Sequence, residues 1–317
     1  MFKLININLQ LFAENTQVTT QSSLSPEMKV FYSDYLIDNA VPKLVHDQFG
    51  QKHPIPKNGG KQIEFRKYSP LGKLLTPLTE GVTPDGQSLT VTTVTAEVKQ
   101  YGGYVTLSDM LLMTAIDNNM VQATKLLGNQ AGATLDTITR EVLNGGTNVV
   151  YAGGAASRSA LTANLTVDDI KKAVRALKTQ NAEKIGDSFV AIIHPDVTYD
   201  LTNDPAWQAV KDYDPKDWYE GEIGKIAGVR FVETTEAKIF DGNVYSTLIL
   251  GDNAYGVTEI EGGGLEHIVK QLGSAGTSDA LNQRATVGWK ATKVAERLVE
   301  QFMVRIESKS TFKGAAN

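Results

Sequence analysis

The sequence predicts an α+β protein, and three observations carry that prediction. Two runs dense in β-branched residues, Gln62 to Tyr68 and Leu89 to Val105, read as strands around a turn. Ile116, Met120, Ala123, Leu127, Ala131, Leu135, Ile138 and Val142 recur at spacings of three and four, one apolar stripe that predicts a long helix over 116–143. From Thr166 onward, short helical and strand patterns alternate, as in a mixed sheet with helices packed on it.

The opening, MFKLININLQLFAEN, loosely imitates a signal peptide, but Asn6, Asn8 and Gln10 interrupt its apolar stretch. Ile5, Ile7, Leu9 and Leu11 fall on one side of an alternating pattern, which predicts a half-buried strand. Residues 13–25 are rich in Thr, Ser and Gln and read as an extended linker. Ser25-Pro26-Glu27 opens a helix, with a Ser cap, Pro in the first turn and an acid near the positive end of the dipole; Pro42 stops it. Residues 50–61 hold two prolines and three glycines and are predicted loop.

Between the two strand runs, Thr83-Pro84-Asp85-Gly86 is a strong turn signal. The apolar register of the second run shifts between Val91 and Val94, which predicts a bulge or a change of face. A two-stranded excursion of this length is marginal alone in water. Two readings of it stay open: a hairpin lying on its own domain, or an arm lying on a neighbouring molecule.

The long helix ends at Asn144-Gly145-Gly146. Gly128 and Gly132 inside it cost about 1 kcal/mol each against Ala, so close approach of another backbone is expected there. Thr166 is predicted to cap the next helix, striped by Ile170, Ala173, Val174 and Leu177. Phe189 to Ile193 reads as a buried strand, and His194-Pro195-Asp196 opens another helix. Val229 to Glu233 and Tyr245 to Leu250 are further strands, and residues 282–307 read as a long strand pair.

Composition excludes several function classes. The chain has 317 residues, 41% hydrophobic and 21% charged, an ordinary globular balance. It contains no cysteine, so disulfides and thiolate metal sites are excluded. A formal net charge of −5 argues against a general nucleic-acid binder. No stretch is long and apolar enough for a membrane-spanning helix. His46, His53, His194 and His267 lack ligand spacing, so no metal is predicted. Gly224-Lys225 is followed by Ile226 where a phosphate loop needs Ser or Thr. Neither a dinucleotide fingerprint nor a serine-hydrolase elbow is present, so no cofactor is expected. Asp212, Asp214, Asp217, Glu220 and Glu222 surround Trp218 and leave open a hydrolase with paired acids. The same run reads better as a solvated loop, with Trp207 and Trp218 as core anchors rather than a sugar platform.

Charge is unevenly placed. From Lys43 to Lys73 there are seven basic residues against two acids, whereas Glu183 to Asp241 holds thirteen acids and six bases. Simple solvation, salt-sensitive contact with nucleic acid, and contact between the basic segment of one copy and the acidic surface of the next are the three readings. The third makes Lys57, Lys61, Arg66, Lys67, Lys73 and Asp85 candidate inter-subunit contacts.

Taken in order, the pieces resemble the major capsid proteins of tailed bacteriophages, the Johnson fold. The segments that carry the resemblance most specifically are GEIGKIAGVRFVETT at 221–235 and QRATVGWKATKVAERLVEQFMVRIE at 283–307, together with an NLQLFAE opening. The resemblance implies an N-terminal arm and first helix over 1–49 and an extended two-stranded loop over 50–105. It further implies a peripheral domain with the long spine helix over 106–150, an axial domain over 151–279, and returning peripheral strands over 280–317. It implies a non-enzymatic subunit that builds pentamers and hexamers, then an icosahedral head around double-stranded DNA. Portal and possibly scaffolding or cement proteins would be partners, DNA would touch the inner face without sequence preference, and no membrane would be involved. Assembly would take place in the host bacterial cytoplasm. A bacterial nanocompartment shell of the same fold is the alternative. Identical chains in non-identical positions need hinges, and Gly59-Gly60, Gly102-Gly103 and Gly153-Gly154 are the candidates.

Overall fold

The computed structural model describes residues 16–17, 45–58, 60–68, 71–78, 80–83, 85–115, 119–211, 224–258, 260–261, 265–274 and 279–317. The predicted N-terminal strand, the helix opened by Ser25 and the acidic run around Trp218 lie outside the described residues. The chain divides into two compact units: residues 1–44, 100–137 and 262–293, and residues 45–99, 138–261 and 294–317.

The strands in chain order are β1 (Thr16–Gln17), β2 (Gln51–Lys52), β3 (Gln62–Tyr68), β4 (Val91–Glu97), β5 (Lys99–Ser108), β6 (Val149–Tyr151), β7 (Phe189–Ile193), β8 (Lys225–Ile226), β9 (Val229–Glu233), β10 (Ile239–Phe240), β11 (Val244–Leu250), β12 (Tyr255–Thr258), β13 (Glu266–Lys270), β14 (Arg284–Arg297) and β15 (Met303–Ser308). The helices are α1 (Asp109–Thr114), α2 (Asn119–Asn144), α3 (Val167–Thr179), α4 (Pro195–Thr202) and α5 (Pro205–Lys211).

In the first unit, β5 lies between β1 and β14, and β13 pairs antiparallel with β14. Tyr101, Val105, Val287, Trp289 and Ala291 pack against Leu127, Ala131 and Leu135, the predicted stripe of α2. The sequence explains why β5 and β14 come so close. A Cβ on Gly102 would stand 2.7 Å from the Trp289 carbonyl, and one on Gly288 would stand 2.8 Å from Cβ of Tyr104. Gly102 and Gly103 therefore sit within a tightly packed strand, and close approach accounts for glycine there without any bending. Gly128 departs from expectation the other way: nothing among the described residues lies within 4 Å of a Cβ at that position.

The second unit is built on a sheet in the order β6-β15-β11-β7-β9-β8, with β10 on β11. Both faces are covered. Leu165, Ile170, Ala173 and Leu177 pack on one side with Phe189, Ala191, Ile193, Trp207, Ile249, Val304 and Ile306. Val45, Leu143, Ile192, Leu248, Leu250, Tyr255 and Met303 form the other side. That explains why Phe-Val-Ala-Ile-Ile in β7 shows no alternation: both faces of a central strand need apolar side chains. Thr166 caps α3 by accepting the Asp169 N–H, and His194 caps α4 by accepting the Asp196 N–H on Nδ1.

Residues 282–307 are two strands, as predicted, but the two are not paired with each other. β14 joins β5, β12 and β13, whereas β15 joins β11 and β6. Leu298 to Phe302 carries no Gly, Asn or Pro, so the link lacks hairpin chemistry; a 3-10 turn at Glu300–Phe302 sends the chain into the other sheet. The second strand run breaks at Val98 rather than between Val91 and Val94. There the Val98 N–H still donates to the Lys61 carbonyl at 2.8 Å, the last pair in the register of β3 and β4, and β5 begins at the next residue.

Candidate interaction surfaces

The hairpin of β3 and β4 is paired antiparallel through seven residues, Gln62 to Glu97 at one end and Tyr68 to Val91 at the other. Its base is anchored in its own unit. Phe65 packs on Gly256, where a Cβ would lie 2.9 Å from Cζ of the ring, and a His53 ring sits 6.2 Å away. The far end is different. Leu71, Leu74, Leu75, Leu78, Val82 and Leu89 are exposed, Leu75 at 85% and Leu74 and Leu78 at 77%. Single exposed leucines need no explanation, whereas a run of them on one segment makes it a candidate interaction surface. Sequence reasoning attended to the charges of this segment and missed its leucines. The available signal was an apolar run punctuated by Pro70, Gly72 and Pro77, with neither strand nor helix period.

The candidate contact residues lie on the same excursion. Lys57, Lys61, Arg66, Lys73 and Asp85 are exposed, and Lys67 pairs with Thr92 in the β3–β4 ladder. Arg66 meets Glu64 at 3.3 Å with both side chains in solvent, an arrangement that contributes about 0–1 kcal/mol. Of the candidate hinges, Gly59 lies outside the described residues, and Gly60 has φ of +91° with open space around it. Gly153 and Gly154 are consecutive residues with φ of +65° and +75°, and a Cβ on Gly153 would strike Cβ of Ala163 at 2.6 Å. That turn requires glycine.

A second feature escaped the sequence reading, because it assembles from distant segments. Glu307 is fully buried and takes two hydrogen bonds of 2.6 Å from Arg158, Nε and Nη2, and one of 2.9 Å from Arg305 Nε. Arg305 Nη1 also donates to the carbonyls of Asn144 and Gly146 at the C-terminal end of α2, where a cation complements the helix dipole. The Arg158 guanidinium lies 3.7 Å from the Phe240 ring centroid. The Glu307 hydrogen bond raises the pKa of Arg158, while burial lowers that of Arg305. The arrangement holds the C-terminal end of α2 to β15.

Near α4, the Tyr245 hydroxyl donates to Asp196 at 2.6 Å, and burial together with that carboxylate pushes the phenol pKa upward. Burial lowers the pKa of His194, against the upward pull of Asp196 and Glu233. Trp207 is a core residue edge-on to Phe231. Among the described residues, no group of three or more His, Asp or Glu side chains is placed to hold a metal. No helix among them is long and apolar enough to cross a membrane.

A search of curated proteins finds no match. Solved structures of the same fold are found. The capsid of Cyanophage P-SCSP1u is 13% identical with a TM-score of 0.70, covering 93% of this chain and 97% of its own. The capsid of Ralstonia phage GP4 is 15% identical with a TM-score of 0.70, covering 92% and 97%. The SrpI encapsulin of Synechococcus elongatus is 8% identical with a TM-score of 0.57, covering 95% and 100%. At these identities the likeness is one of fold. The family follows from a sequence model described as phage capsid protein, which matches residues 91–300, more than half of the chain. With a buried mixed sheet, a long helix, an outlying hairpin tipped with leucines and a matched family model, the chain belongs to the phage capsid protein family.

Proposed function

We propose that this capsid protein closes as pentamers and hexamers into the icosahedral head of a tailed bacteriophage, enclosing double-stranded DNA. The carrying observation is the exposed leucine run between β3 and β4. Leucines held at 77–85% exposure would gain about 1.5–3 kcal/mol each on full burial, and a neighbouring copy is the partner a shell supplies at every position. Exposed Lys57, Lys61, Arg66 and Lys73 beside them orient the contact against the acidic 183–241 segment of the next copy. The acidic overall balance, −5, keeps the inner wall from gripping DNA, so contact with the genome is weak and non-specific. A portal completes the head, with scaffold or cement proteins as further partners, and assembly takes place in the host bacterial cytoplasm.

The nanocompartment reading has one observation in its favour, the likeness to SrpI. That likeness is weaker than those to the phage capsids, and the family match is to phage capsid proteins. Electron microscopy of purified particles after nuclease treatment separates the two. Protected DNA and a unique portal vertex support the head, and enclosed enzyme without a portal vertex overturns it. A stable, active monomer in size-exclusion chromatography would overturn both shell readings in favour of the hydrolase built around Trp218.

A further inference from the structure

Helix α3 buries one face and carries cations on the other. Ile170, Ala173, Val174 and Leu177 are buried, whereas Lys171, Lys172, Arg175 and Lys178 are exposed. Lys172 is engaged with Asp168 at 2.7 Å and with the buried Asp169 at 3.4 Å, so it is matched by the acids of its own helix. Lys171, Arg175 and Lys178 form no ion pair among the described residues. At about 100° of turn per residue they stand within about 60° of one another, in one row about 10 Å long. The row borders an open groove of about 630 Å³, lined on the α3 side also by Val174 and Thr179 and on the other by Ala227, in the turn between β8 and β9.

We propose that this row is where the capsid protein touches the phosphate backbone of packaged double-stranded DNA, an inference that rests on the head reading and names a surface which that reading leaves unassigned. Two observations favour phosphate over a protein partner. Over about 10 Å one strand of a duplex presents about three phosphates, a match for three cations in line. The exposed side chains here, Lys171, Arg175, Lys178 and Thr179, include no large apolar group, whereas a protein–protein contact is centred on apolar and aromatic groups and is depleted in lysine. The leucine loop between β3 and β4 has the opposite make-up. The Thr179 hydroxyl is already committed to the Arg175 carbonyl at 2.8 Å, so recognition is by charge, without readout of bases. Three such contacts on a chain of net charge −5 give a weak, salt-sensitive grip at one place rather than a general affinity.

The test is binding of the full, unassembled chain to a short DNA duplex of mixed sequence, followed by fluorescence anisotropy across a salt series. The row's share of the affinity should fall about fortyfold between about 50 and 200 mM salt. Lys171→Gln/Arg175→Gln/Lys178→Gln keeps helix propensity and should flatten the slope of log K against log salt by about 2.7. Each single change should flatten it by about 0.9, which keeps the test decisive if the triple variant unfolds. Lys99→Gln/Lys270→Gln/Lys313→Gln removes the same charge from exposed positions elsewhere and should leave the slope near that of the parent. Equal flattening by both triple variants would overturn the proposal, since net charge alone would then be acting. A poly-glutamate peptide that binds the parent as tightly as the duplex would also overturn it, by giving the row to an acidic segment of another protein. Heads that hold nuclease-protected DNA, although the row variants bind duplex as the parent does, would overturn this inference and leave the head reading standing. Particles without DNA, from a chain whose row binds duplex as expected, would do the reverse.

Discussion

The β3–β4 excursion and the sheet of β7, β11 and β15 belong to the same compact unit, yet they use the same side chains in opposite ways. In the sheet, every residue of β7, β11 and β15 is buried. In the connection between β3 and β4, Leu71, Leu74, Leu75 and Leu78 are more than half exposed. The sheet satisfies itself; the loop does not. Under the proposed shell assembly, a neighbouring copy supplies the burial that these leucines lack in the single chain. Stability and assembly should therefore be separable by mutation.

The largest effect is expected at the loop. Replacing Leu74, Leu75 and Leu78 with serine removes roughly 1.5–3 kcal/mol of burial each, enough together to weaken one inter-copy contact more than about a thousandfold. Particles should vanish from sedimentation profiles while the thermal midpoint of the unassembled chain stays nearly fixed. A large drop in that midpoint would mean that the loop is part of the core. The converse test is Glu307→Gln, which leaves Arg305 buried without its carboxylate. A loss of about 3–5 kcal/mol in denaturant unfolding is expected, in the isolated chain and with the loop untouched.

A smaller effect sharpens the sheet side. His194 is neutral in the fold, since burial holds its pKa below the ordinary value and its Nδ1 accepts the α4 cap bond. As pH falls through about 6.5 the unfolded chain takes up the proton first. Stability present above that pH is therefore lost on acidification, by up to about 1.4 kcal/mol per pH unit. His194→Asn keeps a cap and should flatten the pH dependence of thermal unfolding between about pH 7.5 and 5.5. The smallest effect on folding is expected from charge reversal at Lys61, Arg66 and Lys67: little change in monomer stability, about 0–1 kcal/mol per exposed pair, but slower and more salt-dependent assembly in light scattering. Unaltered assembly kinetics would remove the charges from the contact.

Much of the fold was legible in local pattern. The Gln62 to Tyr68 strand, the α2 stripe, the Thr166 cap and the His194-Pro195-Asp196 helix start all depend on a few neighbouring residues, and each stands where the sequence put it. Partnership between strands was not legible. β14 and β15 are separated by only five residues yet enter different sheets, because pairing is decided by what is buried against what, and Leu298 to Phe302 gives no local signal. The Arg158–Glu307–Arg305 group was invisible for the same reason, since its members are held together by the fold alone. The loop leucines were in plain view. They escaped notice because apolar residues without a period announce neither strand nor helix, and only their exposure in the fold distinguishes them from core.

The most direct test is hydrogen exchange on residues 71–90, compared between the unassembled chain and the assembled particle. These amides should exchange at nearly the free-peptide rate before assembly and gain protection of about a hundredfold or more within the shell, while β7, β11 and β15 are protected in both states. Strong protection already present in the single chain, or none gained in the particle, would contradict the claim that the loop finds its burial on another copy.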